Sequence, residues 1–249
     1  MTTLILTANP DTGSVRLTIT PTDEITRVRR TDVNGTYDVR TLTGQLPHLT
    51  GELVLDDYEA NGLARYTITT AGASVTGSIT LPLTSPWLGT PENPQFSVAV
   101  EGFEDYAAGG ATLSTVHEPD GRLDPIVIVR GATTRRGTMR VYGGTYAEAL
   151  KILRIFRRGQ TMFLRQTDHP GMDMYFIPMT FDIVTALAGR SASVFDVTLN
   201  YLEVGRPAGA LSGALGWTWA GLTAAFPTWG DVFDSYDSWG DVRTDRRKP

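Results

Sequence analysis

The chain has 249 residues, 41% of them apolar and 20% charged, with a net charge of −5 and no cysteine. That length supplies a core for one large domain or two ordinary ones. The negative balance argues against a general affinity for nucleic acid, and the lack of cysteine excludes disulfides and thiolate zinc sites.

The opening Met1-Thr2-Thr3-Leu4-Ile5-Leu6-Thr7 has neither the basic region nor the long apolar run of a signal peptide. No run of about 18 apolar residues predicts a membrane helix. The expectation is a soluble protein made in a cytoplasm.

Residues 1–81 read as strands. Val15, Leu17 and Ile19 alternate with polar residues, as do Tyr66 and Ile68, and then Val75, Ile79 and Leu81. A period of two marks a half-buried strand. Val33-Asn34-Gly35-Thr36 predicts a hairpin, with Asn34-Gly35 as the turn residues that need positive φ. About seven short strands at this spacing predict a small β-sandwich.

Residues 82–94 read as a linker, with Pro82, Pro86, Pro91 and Pro94 around Trp87-Leu88. Proline stiffens the path and withholds donors, so this stretch is not expected to join a sheet.

Residues 95–204 read as a second unit of mixed type. Strands are expected at Phe96 to Val100, Ile126 to Val129, Thr138 to Val141, Thr161 to Arg165, Met174 to Ile177 and Ser193 to Val204. Between them lies the clearest helix. Thr145 and Glu148 form a capping box. Tyr146, Ala149, Leu150, Leu153 and Phe156 share one face, and Ile152 and Ile155 add a second apolar strip. Lys151, Arg154, Arg157 and Arg158 favour the C-terminal dipole end, and Gly159 is the stop. One helix on an antiparallel sheet or barrel is the expected architecture.

Residues 205–249 combine a Gly/Ala-rich linker with a repeat. Trp219, Trp229 and Trp239 stand ten residues apart. Leu222, Val232 and Val242 each follow a Trp by three, Phe226 and Tyr236 follow by seven, and Thr218, Thr228 and Ser238 precede by one. On a helix, the Trp and its +3 and +7 companions fall within about 80° of one another. Thr228 with Asp231, and Ser238 with Asp241, place a capping residue before an acid. The expected structure is a string of short helical turns, each pinning one Trp against the chain's own body or a neighbouring subunit. Trp219, Leu222, Phe226, Trp229, Val232, Tyr236, Trp239 and Val242 are thus candidate partner-docking residues.

Catalytic signals are weak. Asp11-Thr12-Gly13 matches the aspartic protease triplet, but such a site needs two aspartates sharing a proton and there is no second copy. Asn9 to Gly13 is a good turn sequence instead. His117-Glu118 with Asp120 and Asp124, and Asp168-His169 with Asp173, are candidate cation ligands. Both sit among Pro and Gly, as solvated loops do, and neither offers about six oxygens at a known spacing. Arg135, Arg136 and Arg140 read either as a face for a negative partner or as a solvated face balanced by acid. No catalytic residue, cofactor or metal is expected.

Several segments together resemble a minor tail protein of siphophages that infect actinobacteria. Asp57-Tyr58-Glu59-Ala60, Gly62 and Arg65-Tyr66-Thr67-Ile68 resemble the fibronectin-III-like module that opens such proteins. Trp87 to Pro94 resembles their Trp-Leu-x-x-Pro-x-x-Pro linker. Arg136 to Val141, the helix, Met162 to Gln166, Met174 to Phe176 and Leu202 to Pro207 follow in the family's order, and the Trp repeat closes the match.

The resemblance implies a mainly β chain: a fibronectin-III-like β-sandwich (1–81), a linker (82–94), a distal-tail-like β-barrel with one packed helix (95–204) and a docking tail (205–249). It implies a non-enzymatic virion component of the tail tip. Such a protein forms a ring, usually hexameric, that continues the tail tube and contacts the tube protein and other tip proteins. The other reading is a carbohydrate-binding module for the host cell wall. No membrane or sequence-specific nucleic acid is an expected partner.

Overall fold

The computed structural model describes residues 2–41, 52–121, 123–169, 171–187, 193–211, 222–223, 226–236, 239 and 242. The fold is mainly β, built from antiparallel sheets, with two helices among the described residues. The chain divides into two compact units. The first is Met1–Val100 with Met162–Met174 and Pro207–Pro249, and the second is Glu101–Thr161 with Tyr175–Arg206.

The first unit opens with seven strands: β1 (Thr3–Asn9), β2 (Ser14–Thr20), β3 (Ile25–Asp32), β4 (Gly35–Asp38), β5 (Leu53–Asp57), β6 (Gly62–Thr70) and β7 (Ser74–Leu81). They form a three-stranded sheet, β1-β2-β5, and a four-stranded sheet, β4-β3-β6-β7. The expected alternation holds. Val15, Leu17 and Ile19 of β2 share one core with Val28 of β3, Leu53 of β5, Tyr66 and Ile68 of β6 and Leu81 of β7. Each sheet turns one face onto this shared core.

The Asn-Gly hairpin forms, but its turn differs from expectation. Asp32 pairs with Gly35, so Val33 and Asn34 make the turn, and only Gly35 carries positive φ, at 119°. Asn34 is fixed by its own bonds: its N–H donates to Asp32 Oδ1 at 3.0 Å and its amide to Asp173 Oδ2 at 2.7 Å.

The Pro-rich stretch does join a sheet, contrary to expectation. Trp87–Gly89 is strand β8, antiparallel to β9 (Val98–Ala99) and to β14 (Met162–Arg165). Pro86 and Pro91 lie outside it, so Trp87, Leu88 and Gly89 keep their donors, and all three are buried.

The second unit holds β10 (Phe103–Gly109), β11 (Thr115–His117), β12 (Ile126–Ile128), β13 (Arg136–Tyr142), α1 (Tyr146–Phe156), β15 (Met174–Leu187, of which Met174 belongs to the first unit) and β16 (Ser193–Val204). Its main sheet runs β10-β13-β16-β15, antiparallel throughout. Among the described residues none of the sheets closes into a barrel, so the expected barrel gives way to an open sheet. Pro178 withholds a donor where the β15–β16 register shifts.

Helix α1 packs against β16. Thr145 accepts from Glu148 N and the Glu148 carboxylate accepts from Thr145 N, as the capping box predicts. The buried side chains are Ala149, Ile152, Leu153, Ile155 and Phe156. The second strip is therefore covered, while Tyr146 at the start is 54% exposed. Gly143 permits the approach: a Cβ there would stand 2.4 Å from Phe195 O and 2.9 Å from Ala149 Cβ.

Met162–Met174 groups with the first unit, where its strand β14 pairs with β8.

Candidate functional site

The Trp repeat forms two layers. Leu222, Val232, Tyr236 and Val242 are buried together, with Phe226 packed against them. The second helix, α2 (Trp229–Ser235), supplies Val232. Thr228 caps it as predicted, accepting from Asp231 N and donating its own N–H to the Asp231 carboxylate. Tyr236 N bonds Val232 O at 3.0 Å and Phe226 N bonds Leu222 O at 2.9 Å, so each +7 aromatic stands one helical turn after its +3 aliphatic. Phe226 and Tyr236 meet edge to face at 5.6 Å.

Trp229 and Trp239 form an outer layer. Trp229 is 51% exposed and Trp239 55% exposed. Their rings stand 5.8 Å apart at 71°, and Phe233, on the same side of α2, lies 6.5 Å from Trp239. Within the chain the described +3 and +7 companions are buried together, while the Trp229 and Trp239 rings face outward. The expectation that Trp229 and Trp239 bury against the chain's own body does not hold. Trp219, Thr218, Ser238 and Asp241 lie outside the described residues.

A second constellation, which sequence reasoning missed, is a buried ionic network in the first unit. Asp57 stands at the end of β5 and Arg30 lies on the core face of β3, two residues from Val28. Arg30 Nη1 donates to both Asp57 oxygens at 2.9 Å. Tyr66 Oη donates to Asp57 Oδ2 at 3.0 Å and Glu59 N to Oδ1 at 3.0 Å. Arg30 Nε lies 2.8 Å from Asp32 Oδ2, near enough for an ion pair but off the line of a hydrogen bond. Burial works against the Arg30 charge, but Asp57, Asp32 and Glu59 outweigh it and hold the guanidinium protonated. Burial also raises the Asp32 pKa against the pull of Arg30, and it raises that of Tyr66.

The network continues through Glu59 to Arg40, whose Nε donates at 2.9 Å. Arg40 also donates to the carbonyls of Pro207 and Gly209. Arg165 is wholly buried: its Nη1 donates to Gly13 O at 2.7 Å and Ala60 O at 2.9 Å, and its head lies 5.5 Å from the Trp87 ring. Burial lowers its pKa to about 10. Gly13 is what seats it: φ is 60°, and a Cβ there would lie 2.7 Å from Arg165 Nη2. The Asp11-Thr12-Gly13 triplet is thus a turn whose glycine makes room for an arginine.

Asp173, a candidate cation ligand, is engaged otherwise. Its oxygens accept from Asn34 and Asn61 amides at 2.7 Å each and from Gln166 N at 2.6 Å. Among the described residues no three His, Asp or Glu side chains converge on a metal position. His117, Glu118, Asp120 and Asp124 belong to the β11–β12 hairpin and its tip. The arginine-rich stretch is partly neutralised. Arg135 places Nε, Nη2 and its backbone N–H on Glu203 at 2.8–3.0 Å, and Arg140 Nη2 lies 3.0 Å from Asp105.

One signal for the missed network was available. Period two puts Arg30 on the same face as Val28, and a charge on a core face needs a buried partner. Comparison with protein-family models, curated proteins and solved structures found no match.

Proposed function

We propose that this chain is a structural component of a bacteriophage tail tip, forming a ring that continues the tail tube and docks neighbouring tip proteins. The observation that carries the reading is the two-layered repeat. Its companions bury one another, and Trp229, Phe233 and Trp239 are offered together on the surface. Grouped aromatics of this kind serve as anchors at protein interfaces. The three-plus-four sheet order supports a fibronectin-III-like module at the start. The open sheet with α1 is the distal-tail-like wall element, which neighbouring copies would complete. The protein works in the virion and is made in the bacterial cytoplasm.

Electron microscopy of the protein with its tip neighbours tests this: rings are expected, and Trp229→Ala with Trp239→Ala should weaken incorporation into tails. A protein that stays monomeric and never enters tail particles ends the reading. The exposed rings also favour a second reading, binding of host cell-wall glycan. A sugar platform asks for rings that present their faces together, whereas Trp229 and Trp239 stand at 71°. Calorimetric titration with wall glycans, wild type against Trp229→Ala, separates the two.

A further inference from the structure

The β11–β12 hairpin lies between β10 and β13. From Leu113 to Val129 no described residue is buried, and Val116, Leu123, Ile126, Val127, Ile128 and Val129 are all between 45% and 102% exposed. Strand β12 pairs with β11 in the register Val116↔Val127 and has no partner on its other side among the described residues. A two-stranded ribbon with both faces apolar is marginal by itself in water, and an apolar open edge is a template for another strand.

The sequence along that edge is self-complementary. Asp124-Pro125-Ile126-Val127-Ile128-Val129-Arg130, laid antiparallel on itself about Val127, sets Asp124 against Arg130 and Ile126 against Ile128. Val127 then faces its own counterpart. Asp124, Ile126, Ile128 and Arg130 fall on one face because side chains alternate. Neither Asp124 nor Arg130 has an ion-pair partner within the chain among the described residues. Pro125 comes opposite Val129 and withholds a donor there, which limits the ladder to its centre.

We infer that β12 pairs antiparallel with β12 of a second copy of this chain, giving a four-stranded sheet β11-β12-β12-β11 across a two-fold axis. Apposed Ile126, Val127 and Ile128 cover the apolar edge, and two Asp124–Arg130 pairs fix the register. Other occupants fit less well. The ribbon from Leu113 to Arg130 has no Phe, Trp or Tyr to stack on a sugar. Glu118, Asp120 and Asp124 stand at or near its tip, where they oppose nucleic acid and insertion into lipid.

The cysteine-free chain makes the test clean. Antiparallel neighbours stand about 4.5–5.5 Å apart between Cα atoms, within disulfide reach. Val127→Cys should therefore oxidise to a covalent dimer at least about tenfold faster than Asp120→Cys or Val33→Cys in the first unit, since cross-linking requires that proximity. In sedimentation, Asp124→Arg should weaken the dimer about tenfold by making two attractive pairs repulsive, and Asp124→Arg with Arg130→Asp should restore it. With no described side chain of the ribbon buried, these variants should keep the wild-type circular dichroism.

A wild type that is monomeric at every concentration overturns the inference. So does equal or faster cross-linking at Asp120→Cys, which would put tip beside tip, and so does failure of the double reversal to restore association. The ring reading is judged separately: rings that persist in the Asp124→Arg variant leave it standing while the dimer measurement decides the edge pairing.

Discussion

Replacing Asp57 with Asn tests the buried network most directly. The substitution keeps shape and one acceptor but turns an oxygen that faces Arg30 Nη1 into a second donor. Four contacts converge on this carboxylate: two from Arg30, one from Tyr66 Oη and one from Glu59 N, at 2.9–3.0 Å. Arg30 is 1% exposed, so water cannot replace the lost partner. Breaking a buried ion pair on one side costs about 3–5 kcal/mol. Asp32 still neighbours Arg30, which places the expected loss near the lower end, about 3 kcal/mol.

For a unit of this size, 1 kcal/mol moves the melting temperature by about 2–4 °C, so a fall of about 6–12 °C is expected. All five tryptophans lie in segments of the first unit, so their fluorescence follows its unfolding in urea or heat. Tyr66→Phe is the calibration. It removes one bond to the same carboxylate and should cost about 1.5–3 kcal/mol, the range for a bond to a charged group. If Asp57→Asn costs less than Tyr66→Phe, or under about 1 kcal/mol, the Arg30–Asp57 pair is not what holds this region.

Gly13→Ala should destabilise the first unit by about 1–3 kcal/mol, because it meets both positive φ and the Arg165 guanidinium, and chemical denaturation followed by tryptophan fluorescence reads this. Gly137→Ala should unfold or shift the β10–β13 pairing, since its Cβ would lie 1.9 Å from Ala107 O; loss of amide-exchange protection along β13 is the readout. Glu203 has its pKa lowered, first by the side-chain bond from Arg135, so its contribution is present above the ordinary glutamate range. That contribution disappears as the pH falls through the lowered folded-state value, and Arg135→Ala should flatten this part of an acid titration of the second unit's stability.

The strands of the first unit and the helix were legible because their signals are local. Alternation in β2 and β7 depends on neighbouring residues alone, and the Thr145–Glu148 box is complete within four residues. What escaped is long-range. Arg30, Asp57 and Arg165 read as ordinary strand charges until β3, β5 and β14 bring them together. Asp173 reads as a loop acid until Asn34 and Asn61 reach it. Trp87 escaped for another reason: prolines on either side advertise a linker, yet they leave Trp87, Leu88 and Gly89 free to pair with Arg165, Leu164 and Phe163.

The repeat shows how far spacing alone carries. Its capping box and helical phase were readable, but spacing cannot say which apolar member turns inward. Val232 of α2 and Tyr236 just after it take the inner layer, and Trp229 and Phe233 remain outside. This also sets where a truncation should be cut. Arg40, 7% exposed, bonds the Pro207 and Gly209 carbonyls, so ending the chain at 207 strips a buried arginine of one acceptor. Ending it at 211 keeps both and still removes the whole repeat. The 211 truncation should match the full chain in Arg40-dependent stability and fail in assembly, and the 207 truncation should lose stability by about 1–3 kcal/mol besides. Equal stability of the two would mean that the Gly209 contact is dispensable, and normal entry of the 211 truncation into tails would mean that the tryptophans are not its docking surface.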